Sequence, residues 1–134
     1  MIGLVIVTHG QLAQELVAAT EHVVGKLKAC IAVSIGADDD MEQRRADIRA
    51  AVKAADEGDG VIIVTDIFGG TPSNLSMSLL EKSRVEVIAG ANLPMMITLA
   101  EARTRLSLSD LASNASSAGR RYITVGSHLI DGLS

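Results

Sequence analysis

The chain has 134 residues, 48% of them apolar, which matches one domain with enough material for a substantial core. A net charge of −4, with no long basic stripe and with Phe68 and Tyr122 as the only aromatics, excludes nucleic acid as the expected partner. No apolar run reaches the ~20 residues needed to cross a bilayer, and Met1–Val7 lacks the layout of a signal peptide, so a soluble cytoplasmic protein without direct membrane insertion is expected.

Ile2–Val7 is a short β-branched run and reads as the first strand. Gln11–Val24 follows with a helical stripe of Leu12, Leu16, Val17, Ala19, Val23 and Val24. Cys30–Ile35 is the second strand; its lone cysteine reads as a small buried hydrophobe with no disulfide partner. The acidic loop Gly36–Asp40 reads as a solvated connection. Met41–Asp56 is a helix with Ile48, Ala51, Val52 and Ala55 on one face, and Asp56–Gly60 is a turn.

Val61–Thr65 is the third strand. Thr71 reads as the N-cap and Pro72 as the first residue of a helix through Lys82. Val85–Ala89 is the fourth strand, and Pro94 opens a short helix through Ala102. Ser107 and Asp110 resemble a capping box for a helix over Leu108–Ala118, which Gly119 ends. Tyr122–Val125 is a fifth, shorter strand candidate. The alternation predicts one α/β domain over residues 1–134, a doubly wound parallel sheet with helices on both faces.

Ligands of open α/β sheets bind beyond the carboxyl ends of the strands, at the point where the strand order reverses. Three polar, glycine-bearing loops reach that edge here: Thr8-His9-Gly10, the run from Asp66 through Gly69, Gly70 and Thr71, and Gly90-Ala91-Asn92. A strand order of 2-1-3-4, one common solution of the connection rules, sets His9 opposite Asp66. A carboxylate accepting from one ring nitrogen fixes the tautomer, and the other nitrogen becomes an outward nucleophile. A phosphoryl group on that nitrogen needs donors. Gly10, Gly69, Gly70, Thr71 and the helix N-termini are the candidates.

Other chemistry has less support. His22 lies on a helix flank and His128 beyond the last strand, and three dispersed histidines with one cysteine have no metal-ligand spacing. There is no GxGxxG fingerprint, no Walker loop and no serine in an elbow sequence. No metal and no cofactor are expected. Each candidate residue also has a plain structural reading, as a loop histidine, a turn aspartate or a tight Gly-Gly turn. The class that competes with a phosphoryl carrier is a non-catalytic anion-binding module.

The segments MIGLVIVTHGQLAQELVAAT, GDGVIIVTDIFGGTPSNLS and VIAGANLPMM resemble the signature segments of the mannose-type enzyme IIA of the phosphoenolpyruvate-dependent sugar phosphotransferase system (PTS). The resemblance covers about residues 1–125. It implies a three-layer α/β/α fold with a four-stranded parallel sheet in the order 2-1-3-4. It also implies that a short antiparallel strand at Tyr122–Val125 is exchanged within a homodimer. It implies further that the phosphocarrier HPr phosphorylates Nε2 of His9, that Asp66 hydrogen-bonds the other ring nitrogen, and that Thr71 offers a hydroxyl to the phosphate. The active-site loops hold Gly10, Gly69, Gly70 and Asn92, and the acceptor is a histidine of an enzyme IIB.

The sequence departs from some sugar-transporting members at Ile67, where they carry Thr or Ser, and it carries no Pro/Ala-rich linker to a IIB domain. The expectation is a free-standing unit, with a regulatory phosphoprotein as the alternative to a transport component. The phosphoryl-donor subunit of dihydroxyacetone kinase, which lacks the FGGTP run, ranks third.

Overall fold

A computed structural model describes residues 1–130. Its elements are β1 (Gly3–His9), α1 (Leu12–Val24), β2 (Cys30–Ile35), α2 (Met41–Ala55), β3 (Val61–Thr65), α3 (Thr71–Met77), β4 (Val85–Ala89), α4 (Leu93–Ala102) and α5 (Leu108–Arg121), followed by a short 3-10 turn at Gly126–Leu129. The four strands form a parallel sheet in the order β2-β1-β3-β4, as the family resemblance implies. β1 and β3 are the central pair, so the chain winds away in opposite directions from the gap between their carboxyl ends.

The alternation of strand side chains divides the core in two. Leu4 and Ile6 of β1 and Ile62 and Val64 of β3 face the helices α1, α4 and α5, where Met95, Met96, Leu99, Leu111 and Ala115 close the layer. Val5, Val7, Val61 and Ile63 face α2 and α3, against Ile48, Ala51, Ala55 and Leu75. Most of these side chains have no solvent exposure. Each large one contributes about 1.5–3 kcal/mol by leaving water. β1 and β3 therefore form a stiff double floor beneath the loops at their ends.

Local differences from the expected elements have identifiable causes. In α1 the buried face is Ala13 and Thr20 with half-buried Leu16 and Val17, while Leu12, Ala19 and Val23 are exposed. The Thr20 hydroxyl donates to the Leu16 carbonyl at 2.7 Å, which lets a polar side chain sit on the buried face. Thr71 is not the N-cap of α3. Gly70 holds that position with extended backbone, and Pro72 lies in the first turn. α3 ends at Met77, short of Lys82, because Ser78 turns back to the Leu75 carbonyl and a tight reversal joins Glu81 to Val85.

Ser107 does cap α5, accepting from the Asp110 amide at 3.2 Å, but Gly119 does not end that helix, which runs on to Arg121. The lack of a side chain at Gly119 has another use. A Cβ there would lie 3.2 Å from the Met95 methyl and 3.3 Å from Asn92 Oδ1, so α5 packs tightly on the start of α4. Tyr122 is the C-cap of α5, and Tyr122–Val125 forms no strand within the single chain. β4 remains an edge strand, paired with β3 along its length and, on its outer side at Val85, with Glu81.

Candidate functional site

His9 is the last residue of β1 and Asp66 the first after β3, so the central strand pair delivers both to the switch point. His9 Nδ1 lies 2.9 Å from Asp66 Oδ2, and the His9 backbone amide donates to the same oxygen at 3.0 Å. The other carboxylate oxygen accepts from the Ile67 amide at 3.1 Å. Burial alone would raise the Asp66 carboxyl, but the hydrogen bonds from the His9 ring and amide outweigh it and hold the group below its ordinary value. An ionised Asp66 is acceptor-only, so the imidazole presents its proton at Nδ1 and leaves Nε2 with its lone pair free. The imidazole is open to solvent, with its side chain 54% exposed, while that of Asp66 is 13% exposed.

Residues around this pair fix its position. Thr8 points away from the site and accepts from the Ala13 amide at 2.7 Å while donating to the His9 carbonyl at 3.2 Å. It replaces the cap that Gln11 does not provide and ties the end of β1 to the start of α1. Sequence reasoning missed this residue, because a threonine three positions before the N-cap matches no capping pattern. Gly10 turns the chain with φ +55°, and its amide is committed to the Ile35 carbonyl at 3.0 Å, so it is not a donor to a ligand on His9.

Asn92 is committed as well. Its Oδ1 accepts from the Met95 amide at 3.1 Å and its Nδ2 donates to the Gly119 carbonyl at 2.9 Å, so it caps α4 and clamps α5. Thr71 is half-buried in the first turn of α3, and its hydroxyl makes no hydrogen bond among the described residues. His22 and His128 are exposed and stand apart from any carboxylate pairing among the described residues. The described residues hold no cluster of three or more His, Cys, Asp or Glu able to take a metal.

Gly70 touches the ring itself. A Cβ at this position would stand 2.9 Å from His9 Cε1 and 3.3 Å from Nε2. Its own backbone, at φ −85° and ψ 174°, suits any residue. Gly70→Ala therefore keeps the fold, with stability lowered by up to ~1 kcal/mol because alanine is a poorer N-cap than glycine, and turns the imidazole off the Asp66 axis. The displaced ring is expected to show shifted imidazole signals in nitrogen-15 NMR of the folded variant.

The site is thus an exposed imidazole held by a carboxylate, beside a glycine loop and a hydroxyl without a hydrogen-bond partner among the described residues. Residues 3–116 match the EIIA-man family, described as the PTS system fructose IIA component. The chain belongs to that family. It is 29% identical over 132 residues to the PTS system fructose-specific EIIA component of Bacillus subtilis, covering 98% of this chain and 90% of that one. It is 37% identical over 113 residues to the putative phosphotransferase enzyme IIA component YadI of Escherichia coli, covering 82% and 76%.

Among solved structures, the mannose/sorbose specific IIA subunit from Enterococcus faecalis superposes with a TM-score of 0.81 at 29% identity, over 92% of this chain and 93% of that one. EIIA-man proteins are phosphotransferase components of the sugar phosphotransferase system, and this chain has a phosphocarrier role of that general kind. No helix among the described residues is long and apolar enough to cross a membrane.

Proposed function

We propose that this EIIA-man chain accepts a phosphoryl group from phospho-HPr on Nε2 of His9 and passes it to a histidine of an enzyme IIB in the cytoplasm, the whole chain acting as one IIA unit. The observation that carries this reading is the 2.9 Å contact between His9 Nδ1 and Asp66, which reserves Nε2 for bond formation. The Nε2 lone pair forms the new N–P bond as the N–P bond of the donor breaks, and that electron pair returns to the donor nitrogen. The Nδ1 proton stays between His9 and Asp66 throughout. Transfer from one histidine to another needs neither metal nor nucleotide.

Transition states of phosphoryl transfer are loose, so the protein contributes mainly position and charge. The Gly69-Gly70-Thr71 backbone and the Thr71 hydroxyl are the donors available to the equatorial oxygens, and Gly69 reaches its place with φ +93°. The test is incubation with enzyme I, HPr and labelled phosphoenolpyruvate. The expected product is an acid-labile, base-stable label on this chain that chases onto an enzyme IIB. No label under conditions that phosphorylate HPr overturns the reading.

We also propose a homodimer in which the segment after α5 leaves its own chain. Tyr122, Ile123, Val125, Leu129 and Ile130 are exposed beyond α5, and the outer edge of β4 pairs with no strand and is bridged at Val85 by Glu81. An edge strand and an unburied apolar segment both gain from pairing. The full chain is expected to run as a dimer in light scattering, and a chain truncated after Arg121 as a monomer or an insoluble protein. A soluble dimer of the truncated chain overturns the exchange.

A further inference from the structure

The His9–Asp66 pair is flanked by apolar side chains that the fold does not use. Phe68 is 75% exposed, Ile67 57% and Leu12 44%, and each lies within three residues of His9 or Asp66 along the chain. None belongs to either half of the core. Ile67 borders the ring: its Cγ2 and His9 Nε2 stand 3.4 and 3.3 Å from the point that a Cβ on Gly70 would occupy. The other aromatic of the chain, Tyr122, has a partner in the Arg121 guanidinium, 5.3 Å from its ring centre. Phe68 has no such contact among the described residues. A large ring left in water adds nothing to the stability of the fold. Exposed apolar groups with a polar surround mark surfaces that another protein covers, and aromatic residues are over-represented among the anchors of such surfaces.

The charges around this patch are sorted by side. Glu15 follows Leu12 by one helical step in the first turn of α1, and Asp38 lies in the loop that leaves β2, whose last residue, Ile35, is in register with His9. Both carboxylates are exposed and form no ion pair among the described residues. The nearby cations are engaged, Arg44 with Asp39 and Asp47, and Arg45 with Glu42. Arg120 and Arg121 stand at the other end of the same edge, where α5 closes beside Asn92. The edge is therefore acidic on the β2 side and basic on the β4 side.

The reaction itself says what covers the patch. Transfer between two histidines requires the second ring to come within roughly 3–3.5 Å of a reacting position. A folded protein brings its own histidine that close to Nε2 only by lying on the residues beside His9. We propose that Phe68, with Leu12 and Ile67, anchors the phosphohistidine protein that donates to His9, and that Glu15 and Asp38 orient it by meeting cations on one flank of its histidine. This rests on His9 being the phosphoryl acceptor. Phe68 supplies affinity and leaves the chemistry to His9 and Asp66, and the acidic flank supplies orientation and encounter rate.

Initial rates of labelling from phospho-HPr, measured over a range of its concentration, test the surface. Phe68→Ala is expected to raise KM about 10-fold or more, the scale of an aromatic hot spot, with kcat and the thermal melt unchanged, and Phe68→Trp to keep most of the parent affinity. Glu15→Gln with Asp38→Asn is expected to raise KM and to flatten its dependence on salt. Phosphoramidate is the control that needs no docking: its N–P bond breaks as the Nε2–P bond forms, and ammonia leaves. It is expected to label the parent chain and Phe68→Ala at one rate. A parent KM in Phe68→Ala overturns the anchor, and so does an equal loss with phosphoramidate, which places Phe68 in the geometry of the ring. A parent salt dependence in the carboxylate pair overturns the acidic flank. A parent chain that neither donor labels overturns His9 as the acceptor, a result distinct from any of these.

Discussion

His9→Ala is expected to abolish phosphorylation of the chain by phospho-HPr, with acid-labile label falling to background. The folded protein is expected to remain, because the ring is largely in solvent and bonds only to Asp66. Asp66 keeps two donors after the substitution, the amide of residue 9 and the Ile67 amide, so the carboxylate is not stranded. No other histidine is expected to take over. His22 lies on the exposed face of α1 and His128 in the 3-10 turn, and neither has a carboxylate to hold its ring proton among the described interactions. Mass spectrometry under neutral conditions, with a thermal melt of the same sample, separates lost chemistry from lost structure. A full-strength acid-labile label on the folded variant removes His9 from the reaction.

The meeting of His9 and Asp66 was legible because parallel strands put their carboxyl ends on one edge. Once Ile2–Val7 and Val61–Thr65 read as strands, His9 and Asp66 had to emerge on the same side of the sheet. β2, β3 and β4 were legible to the residue for the same reason, being short β-branched runs between breakers. What stayed hidden depended on contacts between distant segments. Thr8 reads as an ordinary strand residue until the Ala13 amide is seen to rest on its hydroxyl. Gly119 carries the signal of a helix stop, and only the closeness of Met95 and Asn92 explains a glycine two residues before the last turn ends.

The donor assignments shifted for the same reason. Gly10 and Asn92 lie in the expected loops, but backbone partners elsewhere in the fold already occupy them. In α1 the expected stripe held the half-buried Leu16 and Val17 but took in the exposed Leu12, Ala19 and Val23 and left out the buried face's centre, the small Ala13 and the self-bonded Thr20. Hydropathy reports size and polarity but not which hydroxyl has found a carbonyl.

Asp66→Asn is expected to slow phosphoryl transfer to His9 by about 10²–10⁴-fold, the range spanned by loss of a positioned proton partner and by a histidine forced into the wrong tautomer. The aspartate works with both oxygens as acceptors: Oδ2 receives the His9 amide and the Nδ1 proton, and Oδ1 receives the Ile67 amide. An asparagine has one oxygen, so either orientation turns an NH2 toward a group that also donates. With the NH2 toward His9, the ring must accept at Nδ1 and carry its proton on Nε2, which removes the nucleophile. With the NH2 toward Ile67, the loop that leads to Gly70 has to move, and Gly70 sets the ring position. The variant also lacks the negative charge that favours an electrophile on the ring. Nitrogen-15 NMR of the imidazole, compared with the transfer rate, reads the two routes apart: an Nε2-protonated ring marks the first, and a normal tautomer with shifted Ile67 and Gly70 amides marks the second. A variant that transfers at the parent rate with an Nδ1-protonated ring would show that His9 needs no carboxylate, and Asp66 would keep only its place as a turn residue after β3.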